Sequence, residues 1–204
     1  MKLIIIGYSG HSYVCIDIAL MNDIVLDGYC DLKPNTDNPY NLLFMGSEQY
    51  LKTESKIFIC VADNKIRKRI FSRVINLDSD INLVHPDSII SHTVEMGYQT
   101  LICGGSIINA QVKIGNCCII NSGCIIEHQC EISDFSHIAP SAVLCGNVVI
   151  GEGSFIGANS VIKQGVKIGR NVTVGAGSVV LKDIPDNSVY VGSPAKFVKS
   201  NTNE

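Results

Sequence analysis

The chain has 204 residues, 46% hydrophobic and 17% charged, with a formal net charge of −3. That balance supplies a sizeable core and excludes a disordered chain, and without a basic cluster it points away from a nucleic-acid partner. The apolar run Leu3-Ile4-Ile5-Ile6 is too short for a signal-peptide core or a membrane span, so a cytoplasmic protein with no membrane partner is expected.

Leu3–Ile6 reads as a buried strand, Gly7-Tyr8-Ser9-Gly10-His11 as a turn and Ser12–Met21 as a helix. Ile24–Cys30 reads as a second strand ending at Asp31. Lys33–Leu43, with two prolines and three asparagines, reads as a loop. Ser47 caps a short helix reaching Lys52, and Ile57–Val61 is a third strand. Asp63 is the N-cap of a helix over Lys65–Ile75, with Arg67, Lys68, Arg69 and Arg73 on its polar sides. Strands alternating with helices imply a parallel sheet of βαβ units, a small α/β version of a dinucleotide-binding half. The expected division is residues 1–82 and 83–204.

From Ile102 to Val180 every sixth residue is a branched aliphatic: Ile102, Ile108, Ile114, Ile120, Ile126, Ile132, Ile138, Leu144, Ile150, Ile156, Ile162, Ile168, Val174 and Val180. A period of six is neither helical nor that of an ordinary strand. It is the signature of a parallel β-helix, in which each hexad makes one flat side and three hexads close a coil. Ile90 and Met96 are in phase, so the repeat starts near residue 85 and runs to Pro185, with space for roughly five coils and a prism on the order of 25 Å tall. Corners needing positive φ are expected at Gly115-Asn116, Gly151, Gly157, Gly169 and Gly175.

Nine cysteines occur, with no CxxC pair. Cys118, Cys124 and Cys130 occupy the hexad slot that later holds Ser136, Ala142, Val148, Ser154, Ser160, Val166, Val172 and Ser178. They are therefore read as small packed side chains rather than disulfides or metal ligands.

Flat outer sides favour self-association, and chemistry must come from outward positions. Ile125-Ile126-Glu127-His128-Gln129-Cys130 stands out. His128 lies two residues past an interior aliphatic, and one coil on the same slot holds Gly146, a recess with a bare backbone N–H. His137 follows half a coil later. A lone surface histidine carries little meaning; two, with acidic Glu127 and the glycine recess, mark a candidate site.

These hexads, the Val191-Gly192-Ser193-Pro194-Ala195-Lys196 tail and the Gly7–His11 start together resemble the NeuD/PglD-like sugar acyltransferases, over essentially the whole chain. The resemblance implies a Rossmann-like N-terminal domain followed by a left-handed parallel β-helix, assembled as a homotrimer with acetyl-CoA as co-substrate between neighbouring β-helices. It implies His128 as the catalytic base, His137 as a second active-site histidine, and Gly146 as the amide facing the thioester carbonyl. It implies Ala158 and Ala176 as corner contacts to the pantetheine arm, and Gly10, His11, Asp31, Lys33 and Asn64 around the nucleotide. The implied activity is N-acetylation of a dTDP- or UDP-linked 4-amino-4,6-dideoxy sugar for a bacterial surface glycan, by direct transfer and without a metal. Close relatives carry a carboxylate directly after the catalytic histidine, where this chain has Gln129; Glu127 remains on its other side.

In that role His128 accepts the amine proton, the Gly146 N–H stabilises the tetrahedral oxyanion and His137 positions the sugar or its phosphate. Gly7-Tyr8-Ser9-Gly10 is not the three-glycine dinucleotide fingerprint, and amides at a helix start suit a nucleotide-sugar diphosphate. Asp31 could accept hydrogen bonds from base or ribose; equally it is a turn residue before Lys33-Pro34. O-acetylation of a sialic acid is the nearest rival. A γ-type carbonic anhydrase would need three histidines around a metal, drawing in His92, and a non-catalytic β-helix scaffold would not bind acetyl-CoA.

Overall fold

The computed structural model describes residues 1–74 and 77–201. Its N-terminal part is a three-stranded parallel sheet in the order β2-β1-β3, with β1 Lys2–Ile6, β2 Val25–Cys30 and β3 Lys56–Ile59. Helix α1, Gly10–Met21, joins β1 to β2, and helix α2, Asn64–Val74, follows β3. Ile75, the expected last residue of that helix, lies outside the described residues. Helix α1 begins two residues earlier than expected because Ser12 closes its first turn: Ser12 Oγ accepts from the Ser9 N–H at 2.8 Å and donates to the Ser9 carbonyl at 2.6 Å.

Alternation along β1 divides the core. Leu3 and Ile5 pack with Cys15, Ile16, Ile18 and Ala19 of α1, and with Leu83, Leu101 and Ile119 from the second half of the chain. Ile4 and Ile6 pack with Ile57, Ile59, Ile70 and Val74 on the α2 side. Helix α1 is thus apolar on two sides because it is sandwiched. Ser47 accepts from the Gln49 N–H above a single 3₁₀ turn, Glu48–Tyr50, shorter than expected.

From Leu83 onward the chain winds a parallel β-helix of two-residue strands, each paired with the strand eighteen residues away. The first face carries interior Val84, Ile102, Ile120, Ile138, Ile156 and Val174. The second carries Ile90, Ile108, Ile126, Leu144, Ile162 and Val180, and the third Met96, Ile114, Ile132, Ile150 and Ile168, bridged to Ile184. The winding is therefore closer to six coils than to five, because it begins at Leu83 and a final bridge forms at Ile184. Every aliphatic of the six-residue series is buried in one continuous core, each contributing about 1.5–3 kcal/mol. Residues Ser188–Val191 and Lys196–Ser200 form an antiparallel hairpin on the end of the first face.

The corner geometry corrects one expectation. Positive φ recurs every six residues from Gln99 to Gly177, mostly at Gln, Asn, Cys, Phe and Ser rather than glycine. Gly115, Gly151, Gly157, Gly169 and Gly175 lie elsewhere in the hexad and have no positive φ. Their requirement is proximity: a Cβ on Gly157 would lie 2.5 Å from the Ala176 nitrogen in the next coil.

The cysteine slot is a polar slot as well as a small one. Cys118, Cys124 and Cys130 are fully buried, and their thiols reach the carbonyls of Ser133, Ala139 and Cys145 at 3.2–3.3 Å. Ser136 and Ser154 make the equivalent bond fifteen residues on, to Gly151 and Gly169. All nine cysteines are free.

Arg67 is the second correction. Expected on a polar side of α2, it is 1% exposed. Its five N–H groups all find oxygen: Nε donates to Cys117, Nη1 to Val61 and Ala62, Nη2 to Phe135 and to Asn64 Oδ1, at 2.7–3.0 Å. Asn64 Nδ2 donates to the Gly153 carbonyl at 3.0 Å. Residues 117, 135 and 153 are the same corner in three successive coils, so α2 grips a ladder of left-handed corners.

Candidate active site

His128 sits on the edge between the second and third faces, in the segment linking Ile125–Ile126 to Glu131–Ile132. Its side chain is exposed, and the glycine one coil on, Gly146, is buried beneath it. A Cβ on Gly146 would lie 2.5 Å from Cε1 and 2.6 Å from Nε2 of the imidazole, but 3.2 Å from Nδ1. The ring therefore lies across the glycine with its Nε2 edge innermost, and Nδ1 meets Gln129 Oε1 at 3.3 Å. Glu127, although adjacent in sequence, is engaged elsewhere, its Oε2 accepting from Asn109 Nδ2 at 3.0 Å. Ala158 and Ala176 stack on the other edge of the second face, with the Gly177 N–H donating to the Ala158 carbonyl at 2.8 Å. One chain thus keeps the His128 and alanine edges apart, with the second face between them.

His137 lies elsewhere, pointing outward from the first face under the N-terminal half. It is 6% exposed, with His11 at 6.4 Å and Phe155 edge-on at 5.1 Å between ring centroids. Asn121 fixes its tautomer. Asn121 Oδ1 accepts from the Ser122 N–H at 2.9 Å, so it is Nδ2 that faces His137 Nε2 at 3.2 Å. Nε2 is then the acceptor and Nδ1 carries the proton. Nδ1 is buried without a hydrogen bond of ordinary geometry; the Ala62 carbonyl, which accepts from Arg67 Nη1, lies near enough to work weakly against the fall in the His137 pKa. Burial, and then the Arg67 charge, depress the pKa of both His11 and His137 to about 4. Arg67 itself falls to about 10, chiefly through burial. This seam opens into a cleft of about 420 Å³ lined by Asn64, Lys65, His137, Phe155, Thr173 and Asn201.

The expected nucleotide residues are divided. Asp31 borders a cleft of about 200 Å³ at the carboxyl ends of β1 and β2, with Tyr8, Ser9, Leu32, Arg69 and Arg73. The cleft also reaches Val61 just after β3, so it borders the β1–β3 boundary where the order β2-β1-β3 reverses, the usual place for a ligand in an open parallel sheet. Asp31 accepts from the Tyr8 N–H at 2.9 Å and the Leu32 N–H at 2.7 Å, which ties it to the turn and leaves further acceptor capacity on each oxygen. Gly10 opens α1 beside it, with space over its Cα, and Lys33 is exposed in the following loop. His11 and Asn64 belong instead to the seam. Arg69 and Arg73, expected only as polar-side residues of α2, join this cleft through their spacing on the helix, and Arg73 also pairs with Glu48 at 3.1 Å. Among the described residues no three metal-ligating side chains converge, and no helix is long and apolar enough to cross a membrane.

Comparison with known proteins adds to this geometry. The family described as PglD N-terminal domain matches residues 2–74, and the bacterial transferase hexapeptide (six repeats) matches residues 129–164 and 147–182. No protein of curated function matches the sequence. The crystal structure of PerB from Caulobacter crescentus, in complex with CoA and GDP-perosamine, is 30% identical over 98% of each chain, with a TM-score of 0.90. The acetyltransferase domain of PglB from Neisseria gonorrhoeae is also 30% identical, covering 97% of this chain and 99% of that one, with a TM-score of 0.90. A further structure of that domain is in complex with acetyl coenzyme A.

Proposed function

The chain belongs to the NeuD/PglD-like sugar acyltransferases, and from that premise we propose that it acetylates the 4-amino group of a nucleotide-linked 4-amino-4,6-dideoxy sugar. Acetyl-CoA is the donor and transfer is direct. The observation that carries this is His128 lying over Gly146: an exposed imidazole with Nε2 beside a backbone that lacks a Cβ.

The sugar amine attacks the thioester carbonyl carbon. The new C–N bond forms as the carbonyl becomes an oxyanion, which the Gly146 N–H stabilises. His128 Nε2 takes the proton released by nitrogen. The C–S bond then breaks, and the imidazolium returns that proton to the departing sulfur.

The partner is a second copy of the chain. The outward residues of the second face are Ile89, Ile107, Ile125, Val143, Val161 and Val179, an apolar stripe with Ile89 65% exposed. On the third face the corresponding residues are Glu95, Lys113, Glu131, Val149 and Lys167. Burying the apolar face in a closed trimer sets the alanine edge of one copy against the His128 edge of the next, since cyclic contacts are head-to-tail. The pantetheine arm then lies along Ala158 and Ala176 and presents its thioester to His128. The nucleotide occupies the Asp31 cleft, its diphosphate near the α1 N-terminus and Arg69. His137 holds the seam that places the sugar. Such a reaction belongs in the cytoplasm.

UDP and dTDP are the expected nucleotides, and GDP joins them because PerB was crystallised with GDP-perosamine. The test is acetyl-CoA turnover against UDP-, dTDP- and GDP-linked 4-amino sugars, with a sialic acid as comparison, read by mass spectrometry. One acetyl group on nitrogen is the expected product. Acetylation of the sialic acid alone would replace this function with O-acetyl transfer.

A further inference from the structure

The Asp31 cleft ends on a carboxylate that acetyl transfer does not use. Glu48, in the 3₁₀ turn Glu48–Tyr50, is 7% exposed, yet it borders the cleft. Its Oε1 accepts from Arg73 Nη1 and its Oε2 from the Ser47 hydroxyl, both at 3.1 Å. Each oxygen keeps a second acceptor position, and Arg73, which is exposed, keeps donors besides the one spent on Glu48. Ile66, Arg69, Ile70 and Arg73 form one wall of the cleft along α2, a stripe about 10 Å long. Burial first, and then the charges of Glu48 and Asp31, push the Cys30 thiol up to about 11, so both carboxylates stand beside it. Leu32, strongly exposed, stands at the mouth.

We propose that the Glu48–Arg73 pair reads the base of the sugar nucleotide and selects guanine. This rests on the Asp31 cleft being the nucleotide site of the proposed reaction. With the diphosphate at the α1 N-terminus and Arg69, and the ribose at Asp31, the base reaches the Arg73 end of the stripe. Ile70 and Leu32 offer apolar surface to its faces there. Guanine carries two adjacent donors, N1–H and the N2 amino group, with the acceptor O6 beside them. A carboxylate accepts from both donors, and a guanidinium next to it donates to O6. Glu48 and Arg73, joined at 3.1 Å, present that pattern. Uracil and thymine have one N–H between two carbonyls, so a carbonyl oxygen would be set against a carboxylate oxygen. Adenine would set its N1 lone pair there. A buried carboxylate left facing an acceptor costs more than one missing contact, which is how a polar site rejects an analogue.

The experiment is titration calorimetry of the full chain with GDP, inosine diphosphate, UDP, dTDP and ADP, repeated on Glu48→Gln, with the melting temperature recorded for both proteins. The unaltered protein should bind GDP about tenfold to a hundredfold tighter than UDP, dTDP or ADP. Inosine diphosphate, which lacks only the N2 amino group, should bind about tenfold more weakly than GDP. In Glu48→Gln the advantage of GDP should collapse, leaving the five ligands within a few-fold of one another. The inosine comparison needs no altered protein, so it decides the matter even if Glu48→Gln fails to fold. UDP or dTDP binding as tightly as GDP, inosine diphosphate equal to GDP, or a preference that survives Glu48→Gln would overturn the proposal. A pair that only fastens the 3₁₀ turn to α2 would give that last result, with a lowered melting temperature and an unchanged ligand order. Acetylation of an amino sugar on another nucleotide would remove guanine and keep the proposed function; a GDP preference without acetyl transfer would do the reverse.

Discussion

The corner at His128 and the seam at His137 use the same side chain in opposite ways. At the corner the imidazole is exposed, one nitrogen meets Gln129, and the other lies over a glycine. At the seam one imidazole is buried and another half-buried, a buried guanidinium stands beside them, and His137 Nε2 is already an acceptor for Asn121. A base must be able to receive a proton near neutral pH. The seam histidines, held near pKa 4, are poor bases there, and their contribution is shape. The buried Arg67 has no carboxylate partner among the described residues; carbonyl dipoles satisfy all its donors, which bolts α2 to the β-helix and keeps its neighbours neutral.

Removing that bolt is the harshest way to separate the two regions. Arg67→Met should cost ~3–5 kcal/mol in denaturant unfolding, because several buried carbonyls lose their donor. A loss below about 1 kcal/mol would mean the carbonyls find other partners. Acid should act on the seam next. With the folded pKa of His11 and His137 depressed from 6.5 to about 4, only the unfolded chain binds these protons between the two values. Stability should therefore fall as pH drops from 6.5 towards 4 and level off below, by about 3 kcal/mol at most for each ring. The double variant His11→Asn with His137→Asn should flatten that slope, as followed by thermal unfolding across pH. Gly146→Ala attacks the corner instead. Its Cβ would push aside the flexible end of His128, so kcat should fall about tenfold to a hundredfold while the melting temperature stays nearly constant. The mildest change is His137→Asn alone, which should raise KM for the sugar nucleotide a few-fold and leave kcat within about threefold; a kcat loss rivalling that at Gly146 would transfer the chemistry to the seam.

The β-helix was legible because its period is imposed by geometry at every coil, and one aliphatic spine from Ile102 to Val180 records it. The recess at Gly146 was legible for the same reason: eighteen residues make one coil, so stacking can be counted. Arg67 was not, since its neighbours on α2 are exposed cations and nothing local distinguishes it; its partners are carbonyls of Cys117 and Phe135, which leave no mark in side-chain chemistry. The resemblance implies His11 and Asn64 around the nucleotide; in the structure both turn towards the first face, a placement that depends on contacts between the two halves of the chain and leaves no local pattern. The positive-φ corners escaped because Gln, Phe and Cys occupy them where glycine was expected.

The direct test of where the proton goes is acetyl transfer by His128→Ala, measured with saturating acetyl-CoA alongside its melting temperature and CoA affinity. An exposed residue that acts as the base should leave folding and CoA binding unchanged and lower turnover by roughly two to four powers of ten. Turnover within a few-fold of the unaltered protein would contradict the assignment of the chemistry to this corner.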